Sequence, residues 1–410
     1  MSVLEDSKQI IRAALNAAQP DTAVKKALRE LPAYSGRLVL IAAGKAAWQM
    51  AKAAYDELGS RISGGVVCTK YGHSMGEIGN LAIREAGHPV PDENSYRAAQ
   101  AALDAVSGLT ADDLVVFLIS GGGSALFEKP LISPDELADI TKQLLACGAD
   151  ITEINTLRKR FSAVKGGKFA QRCAPAKVFS VVLSDILGDP LDMIASGPAY
   201  PDSTTSEQAT AIAEKHRLRM SDDARALLSA ETPKALPNAQ SMITGSVRQL
   251  CSAASACAES LGYQPIVLSA SVCCEARDAG SFLASIAQYY ADSDHSVAVI
   301  FGGETVVHLT GHGKGGRNQE IALAAAKGIA GMRDTLVFSV GSDGTDGPTD
   351  AAGGWSDGTT QARLAAQGIR IDDILADNNA YFALKAVDGL IMTGPTGTNV
   401  NDLTVLLLRR

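Results

Sequence analysis

Short apolar runs, many rich in β-branched residues, recur through the 410-residue chain, separated by longer Ala-rich amphipathic stretches. They are Leu38–Ala43, Gly65–Thr69, Leu114–Ser120, Lys177–Ser184, Ser241–Thr244, Gln264–Ser269, Ser296–Phe301, Thr305–Thr310, Thr335–Gly341, Leu390–Thr393 and Leu403–Leu408. Several are apolar throughout, which is how strands covered on both faces read. Helix signals fall between them. Ser133-Pro134-Asp135-Glu136 offers an N-cap serine, a proline at the first helical position and a glutamate at N3, predicting a helix to Cys147 with Gly148 as its left-handed cap. Such alternation predicts an α/β fold with mostly parallel sheets. At roughly 150 residues per domain, the length predicts two or three domains. The pattern breaks over Ser221–Gln240, at Glu231-Thr232-Pro233 and Leu236-Pro237-Asn238, which places a boundary at residue 237. The expectation is an α/β domain over 1–237, a smaller α/β domain over 238–410, and a ligand cleft between them.

Charge and composition exclude several function classes. With 37 Lys and Arg against 45 Asp and Glu, the net charge is −8, which argues against a nucleic-acid or membrane-surface partner. No apolar run approaches the roughly 18 residues a membrane span needs. Glu5 and Asp6 stand where a signal peptide would be basic and then apolar, so a cytoplasmic protein is expected. The seven cysteines form no C-x-x-C pair and the six histidines share no helix face. A zinc site is therefore not expected, and any catalytic metal should be a hard ion such as Mg2+.

In α/β sheets ligands sit beyond the carboxyl ends of strands, so the chemistry is sought just after each run. Lys45 follows Gly44 and opens a helix; Val39 and Ala46 exclude a Walker A loop. Ser120-Gly121-Gly122-Gly123-Ser124 offers bare backbone N–H groups and two hydroxyls to an anion. Arg158, Lys159, Arg160, Lys165 and Lys168 put five cations within eleven residues; Arg158 and Lys165 are candidates for phosphate binding, and a solvated basic face is the alternative. Asp185 and Asp189 follow the run ending at Ser184, Glu304 follows Gly302-Gly303, and Asp343 opens an acidic turn. Such carboxylates could hold magnesium or take a proton from a hydroxyl. Gly311-His312-Gly313-Lys314-Gly315-Gly316 matches G-x-G-x-x-G and continues into Arg317-Asn318. Its cations suggest a phosphate loop, and the acidic residue that a dinucleotide site wants is misplaced. Thr398 and Asn399 lie in a last loop dense in hydroxyls and amides. Together these loops describe a phosphate-and-magnesium cleft.

As an ordered set, these motifs resemble the class II glycerate 2-kinases, whose C-terminal part is the MOFRL domain. The resemblance rests on Ala42-Ala43-Gly44-Lys45, Ser120–Ser124, Lys165-Gly166-Gly167, Leu183-Ser184-Asp185, Ser196-Gly197-Pro198, Gly302-Gly303-Glu304-Thr305, Gly315–Glu320, Asp343–Gly347 and Gly397–Asp402. It departs at Leu187, where the pattern commonly has proline. It implies a Rossmann-like N-terminal domain and an ATP- and Mg2+-dependent kinase that phosphorylates D-glycerate on its 2-hydroxyl. Lys45 and Arg317 match its catalytic positions and would neutralise the transferring phosphoryl group. Asp185 and Asp189 join them as catalytic candidates, and Glu304 and Asp343 are the candidates for Mg2+. Ser120, Gly121, Gly122, Gly123, Ser124, Arg158, Lys165, Gly315, Gly316, Asn318, Thr398 and Asn399 would bind substrate or phosphate. The expected partners are D-glycerate and ATP, without nucleic acid or membrane, and a homodimer is the candidate assembly. The rival readings are an NAD(P)H-dependent hydroxypyruvate reductase and a non-catalytic sensor.

Overall fold

The structure is a computed structural model, and it describes residues 2–184 and 186–410. The chain forms two compact α/β units, one of Ala23–Thr244 and the other of Met1–Thr22 with Gly245–Arg410.

The first unit is built on a six-stranded sheet of β1 (Leu38–Ala43), β2 (Ile62–Lys70), β3 (Leu81–Ala86), β4 (Leu114–Ile119), β5 (Lys177–Leu183) and β6 (Ala239–Gly245), in the order β3-β2-β1-β4-β5-β6. The β1–β2, β2–β3, β1–β4 and β4–β5 pairs are all parallel. This is the Rossmann-like order that the family resemblance implied. The uninterrupted apolar runs are explained by the two faces. Leu38, Leu40 and Ala42 enter one core with Leu114, Val116 and Leu118, while Val39, Ile41 and Ala43 enter the opposite core with Val115, Phe117 and Ile119. A helical lobe follows. Leu137, Ile140 and Leu144 of the helix Pro134–Ala146 pack with Ile154, Leu157 and Phe161 along and just beyond the helix Ile151–Arg160. The first of these starts at Ser133, whose hydroxyl accepts from Glu136 N at 3.2 Å, and ends at Cys147, with Gly148 left-handed at φ 74°.

Most of the basic cluster lies inside this unit and is not a solvated face. The Lys159 side chain is fully buried and meets Asp202 Oδ1 at 2.9 Å and Asp192 Oδ2 at 3.5 Å. Arg160 donates to the carbonyls of Ala230 and Thr204 at 2.8 Å and to Thr232 Oγ1 at 3.2 Å. Lys168 donates to the carbonyls of Lys159, Arg160 and Ser162, near the helix C-terminus where cations are favoured.

The second unit departs from expectation in two ways. Its sheet contains β7 (Gln264–Val272), β8 (Val297–Gly303), β9 (Thr335–Gly341), β10 (Gly353–Asp357), β11 (Leu390–Ile391) and β12 (Asp402–Leu408), in the order β11-β10-β9-β12-β8-β7. Only β7–β8 is parallel; β12 inserts between β8 and β9 antiparallel to both, and β10 is antiparallel to β9 and β11. The sequence does not reveal the mixed order, because an all-apolar run reports burial on both faces and carries no information on direction. Second, Thr305–Thr310 is not a strand. Both edges of β8 are already taken by β7 and β12, and the Thr310 and Gly311 N–H groups bond instead to Asn378 Oδ1.

The division of the chain also differs from the boundary expected at residue 237. Residues 239–244 supply β6 of the first sheet, and the helix Val3–Ala17 belongs to the second unit. Asp6, fully buried, accepts from Tyr263 Oη at 2.7 Å and from the Arg409 guanidinium, and Thr398 Oγ1 donates to the Ala18 carbonyl at 2.8 Å. Asp6 is thus a buried anchor for the start of the chain.

Replacing Asp202 by alanine leaves the fully buried Lys159 ammonium without its nearest carboxylate, with Asp192 at 3.5 Å as the remaining partner among the described residues. The substitution should cost about 3 kcal/mol, read as a lower urea midpoint, whereas a solvated basic face would leave the midpoint unmoved.

Candidate active site

In the first unit the winding of the sheet reverses between β1 and β4, so the loops after these strands part and leave a crevice. The loops are laced together at its base. Lys45 N donates to Gly121 O at 2.8 Å, Ala46 N to Ser120 Oγ at 3.0 Å, and Ser120 N to Ala43 O at 3.0 Å. Gly44, at φ 129°, is needed here because a Cβ would lie 2.2 Å from Ser120 Oγ. The lacing brings Lys45 and the Ser120–Ser124 loop together at the carboxyl ends of the two central strands. The half-buried Lys45 ammonium makes no hydrogen bond or ion pair with any described residue. The N–H groups of Gly121 and Gly122 likewise have no acceptor among the described residues. Ser120 is buried and its hydroxyl serves the Ala46 N–H, so it acts on the loop and not on a ligand. Gly123 N returns to Ser120 O, and Ser124 Oγ lies 3.4 Å from Ser196 Oγ.

His88, which the sequence did not single out, borders this loop. A Cβ on Gly122 would sit 2.9 Å from His88 Cδ2 and 3.2 Å from Lys45 Cγ. Burial first, then the charge of Lys45 and of Lys70, hold the His88 imidazole below its ordinary value. It is a neutral neighbour at pH 7 and adds no competing charge beside Lys45.

Arg158 and Lys165 part company. Lys165 is fully buried, donating to the carbonyls of Ser124 and Phe127 at 2.8 Å and pairing with Glu128 Oε2 at 3.2 Å. It braces the glycine loop from behind and cannot meet a phosphate. Arg158 instead borders an apolar cavity of about 430 Å3 within the same unit. Asp189 sits in a turn with φ 56°, its N–H bonded to Ile186 O at 3.1 Å. Asp185 lies outside the described residues.

The second unit holds a cavity of about 700 Å3 whose lining includes Gly315, Gly316, Arg317, Asp343, Asn399 and Asp402. Arg317 begins the helix Arg317–Gly328. Its Nε and Nη2 grip the buried Asp402 carboxylate at 2.6 and 3.2 Å, and its Nη1 reaches Glu304 Oε1 at 3.1 Å. Of the five guanidinium N–H groups, three are held and two remain for a ligand. Burial raises the Asp402 carboxyl, and Arg317 opposes that rise.

The helix N-terminus is filled by the protein itself. Asp346 Oδ1 accepts from Asn318 N at 3.1 Å and from Asn318 Nδ2 at 3.2 Å, while Oδ2 accepts from Gln319 N at 2.9 Å. Two of the N–H groups at this helix start, those of Asn318 and Gln319, are therefore engaged by the protein and do not meet a ligand. Asn318, buried, also accepts from Ser339 Oγ at 2.5 Å, so it braces this joint and does not face a phosphate. Gly316 is glycine because a Cβ would fall 2.2 Å from Asp346 Cγ. The G-x-G-x-x-G spacing thus follows from packing and not from a dinucleotide. Thr398, bonded to Ala18, is structural as well; Asn399 is exposed at the cavity.

The two metal candidates are not gathered into one site. Glu304 is engaged by Arg317, and Asp343 Oδ1 accepts from Thr345 N at 2.9 Å and Oγ1 at 3.1 Å. Among the described residues no group of three or more His, Cys, Asp or Glu is arranged to hold a metal ion. Deeper in the cavity, Glu320 accepts from Asn378 Nδ2 at 2.9 Å through Oε1, while its buried Oε2 has no partner. Burial pushes this carboxyl up. Asp346 and Glu320 both lie in motifs already quoted, but their bonds run to residues far along the chain.

Comparison with known proteins agrees with this architecture. Residues 6–229 match the family described as Domain of unknown function (DUF4147), and residues 297–402 match the MOFRL family. The chain is 50% identical over 406 residues to the D-glycerate 2-kinase of Thermotoga maritima, covering 98% of this chain and 97% of that one. The crystal structure of a Thermotoga maritima glycerate kinase superposes with a TM-score of 0.94 at 49% identity, covering 98% and 99% of the two chains. A protein of Agrobacterium vitis named putative hydroxypyruvate reductase is 39% identical, covering 98% and 93%. The chain belongs to the MOFRL-domain glycerate kinase family.

Burial pushes the Asp346 carboxyl up to about 7, against the pull of its N–H donors. The folded state then binds a proton that the unfolded chain, with an ordinary carboxyl near 3.9, has already released. The stability contributed by this group is complete below that ordinary value and is lost as the pH rises through about 7. Asp402 shifts in the same direction. Urea midpoints measured between roughly pH 5 and pH 8 should fall less steeply in Asp346→Asn than in the parent chain.

Proposed function

We propose that this chain transfers the γ-phosphoryl group of ATP to the 2-hydroxyl of D-glycerate, giving 2-phosphoglycerate and ADP. The observation that carries this reading is the near-full-length identity with the Thermotoga D-glycerate 2-kinase. The geometry of each unit supports it. Phosphoryl transfer demands positioning and charge neutralisation more than covalent chemistry by the protein. Lys45 offers an unpaired ammonium, and Arg317 offers two spare N–H donors on a guanidinium oriented by Asp402. The Gly121 and Gly122 N–H groups suit an anionic oxygen.

Magnesium would enter with the triphosphate and needs only one or two protein carboxylates. Asp343, with one oxygen held by Thr345 and the other facing no described donor, fits that requirement better than Glu304, which Arg317 already occupies. When bound, the ion would neutralise charge on the phosphates. Asp185 and Asp189 remain the proposed groups for orienting the glycerate hydroxyl. All seven cysteines are free thiols, which suits the cytoplasm we propose. No helix among the described residues is long and apolar enough to cross a membrane. A homodimer is the proposed assembly. NAD(P)H chemistry is less well supported, because Asp346 takes the Asn318 and Gln319 N–H groups at the helix start that a dinucleotide pyrophosphate would approach.

The test is turnover with ATP and D-glycerate, with the product identified as the 2-phosphate. Lys45→Ala and Arg317→Ala should each lower kcat on the order of 10³-fold. Arg317→Lys should not rescue, because an ammonium cannot make the two-point grip on Asp402. Near-normal turnover in either alanine variant would remove these residues from the reaction. Oxidation of NAD(P)H by hydroxypyruvate without ATP-dependent product would overturn the kinase reading itself.

A further inference from the structure

The cavity of about 430 Å3 in the first unit begins where the Ser120–Ser124 loop ends. Val90, Pro134, Leu137 and Leu145 give it apolar walls, and Ser124 and Ala125 contribute an edge. Two polar groups in its lining are unsatisfied. Glu128 is 1% exposed; its Oε2 is taken by Lys165, while its Oε1 has no hydrogen-bond partner among the described residues. Arg158 is half-buried and its guanidinium makes no hydrogen bond or ion pair with any described residue. Burial lowers its affinity for a proton, which marks a cation poorly served by water. An unpartnered buried acceptor costs free energy until something donates to it, and a desolvated guanidinium until something accepts from it. The matching ligand carries a flat or apolar body, at least one N–H donor, and acceptor atoms.

A three-carbon hydroxy acid is too small and too polar to cover such walls; a purine nucleoside meets all three demands. We infer that this cavity receives the adenine and ribose of the phosphoryl donor, with Glu128 Oε1 accepting from the exocyclic amino group and Arg158 donating to acceptor atoms of the nucleotide. Ser124 and Ala125 connect the cavity to the glycine-rich loop, so a base seated here directs its phosphates toward the free N–H groups of Gly121 and Gly122. A carboxylate acceptor at the purine 6-position favours the amino group of adenine over the oxo group of guanine, so ATP should be preferred to GTP. The inference rests on the kinase reading and locates one of its substrates.

The experiment uses the full chain, with ADP binding followed by calorimetry and both KM values by product assay. Ala138, at the exposed rim of the cavity, can be enlarged without entering a core. Ala138→Trp should weaken ADP binding and raise the KM for ATP by about tenfold or more, a loss of about 1.4 kcal/mol, while the KM for glycerate stays unchanged. Glu128→Gln should narrow the preference for ATP over GTP, and Arg158→Gln should weaken ADP without altering that preference. Unchanged ADP affinity in a folded Ala138→Trp protein that still phosphorylates glycerate overturns this assignment and leaves the kinase reading intact. Failure of the parent chain to make phosphoglycerate, with ADP still bound and still displaced by Ala138→Trp, overturns the kinase reading and leaves the nucleotide pocket.

Discussion

The reversal of winding between β1 and β4 is the constraint from which the first unit's site follows. Two neighbouring parallel strands whose connections leave in opposite directions cannot cover their own carboxyl ends. The loops that part there must still satisfy their backbone groups, and they do so by bonding to each other through Lys45, Ala46, Ser120 and Gly121. That lacing leaves the Lys45 ammonium and two glycine N–H groups unused. Lys165, paired with Glu128, sits behind the same loop and donates to the carbonyls of Ser124 and Phe127, so the unused groups are supported by a buried charged pair and not by a mobile surface.

The second unit solves a comparable problem with buried carboxylates. Asp346 caps a helix from a distant loop, and Asp402 orients the arginine at that helix's first position. Both carboxylates are raised by burial, and each is matched to donors held by rigid elements. Asp402 thereby fixes a guanidinium whose remaining donors keep a defined direction. A surface arginine would lose that orientation to rotamer freedom.

What could be read from the sequence tracks how local its cause is. Leu38–Ala43 and Leu114–Ile119 were legible because burial on both faces leaves an unbroken apolar run. β3 and β10 were not: the first alternates at a sheet edge, and the second is Gly-Gly-Trp-Ser-Asp, with glycines that pack against Ser339 and Leu384. The antiparallel insertion of β12 and the placement of the first helix depend on partners far along the chain, which periodicity cannot report. The same holds in the site. Lys45 and the glycine-rich loop announce themselves by adjacency to a strand, whereas the engagement of Asn318 by Asp346, of Thr398 by Ala18 and of Lys165 by Glu128 is visible only once the chain has closed on itself.

The buried anchor at Asp6 has a consequence for synthesis. The helix that carries it precedes its partners Tyr263, Thr398 and Arg409 in the chain and is therefore made before them. The unit spanning Ala23–Thr244 can complete itself in the meantime, as domains do when they fold in order of emergence. The opening helix must wait, apolar side outward, until Tyr263, β12 and Arg409 have been made, so its own unit cannot close before the Ala23–Thr244 unit has had its chance to fold.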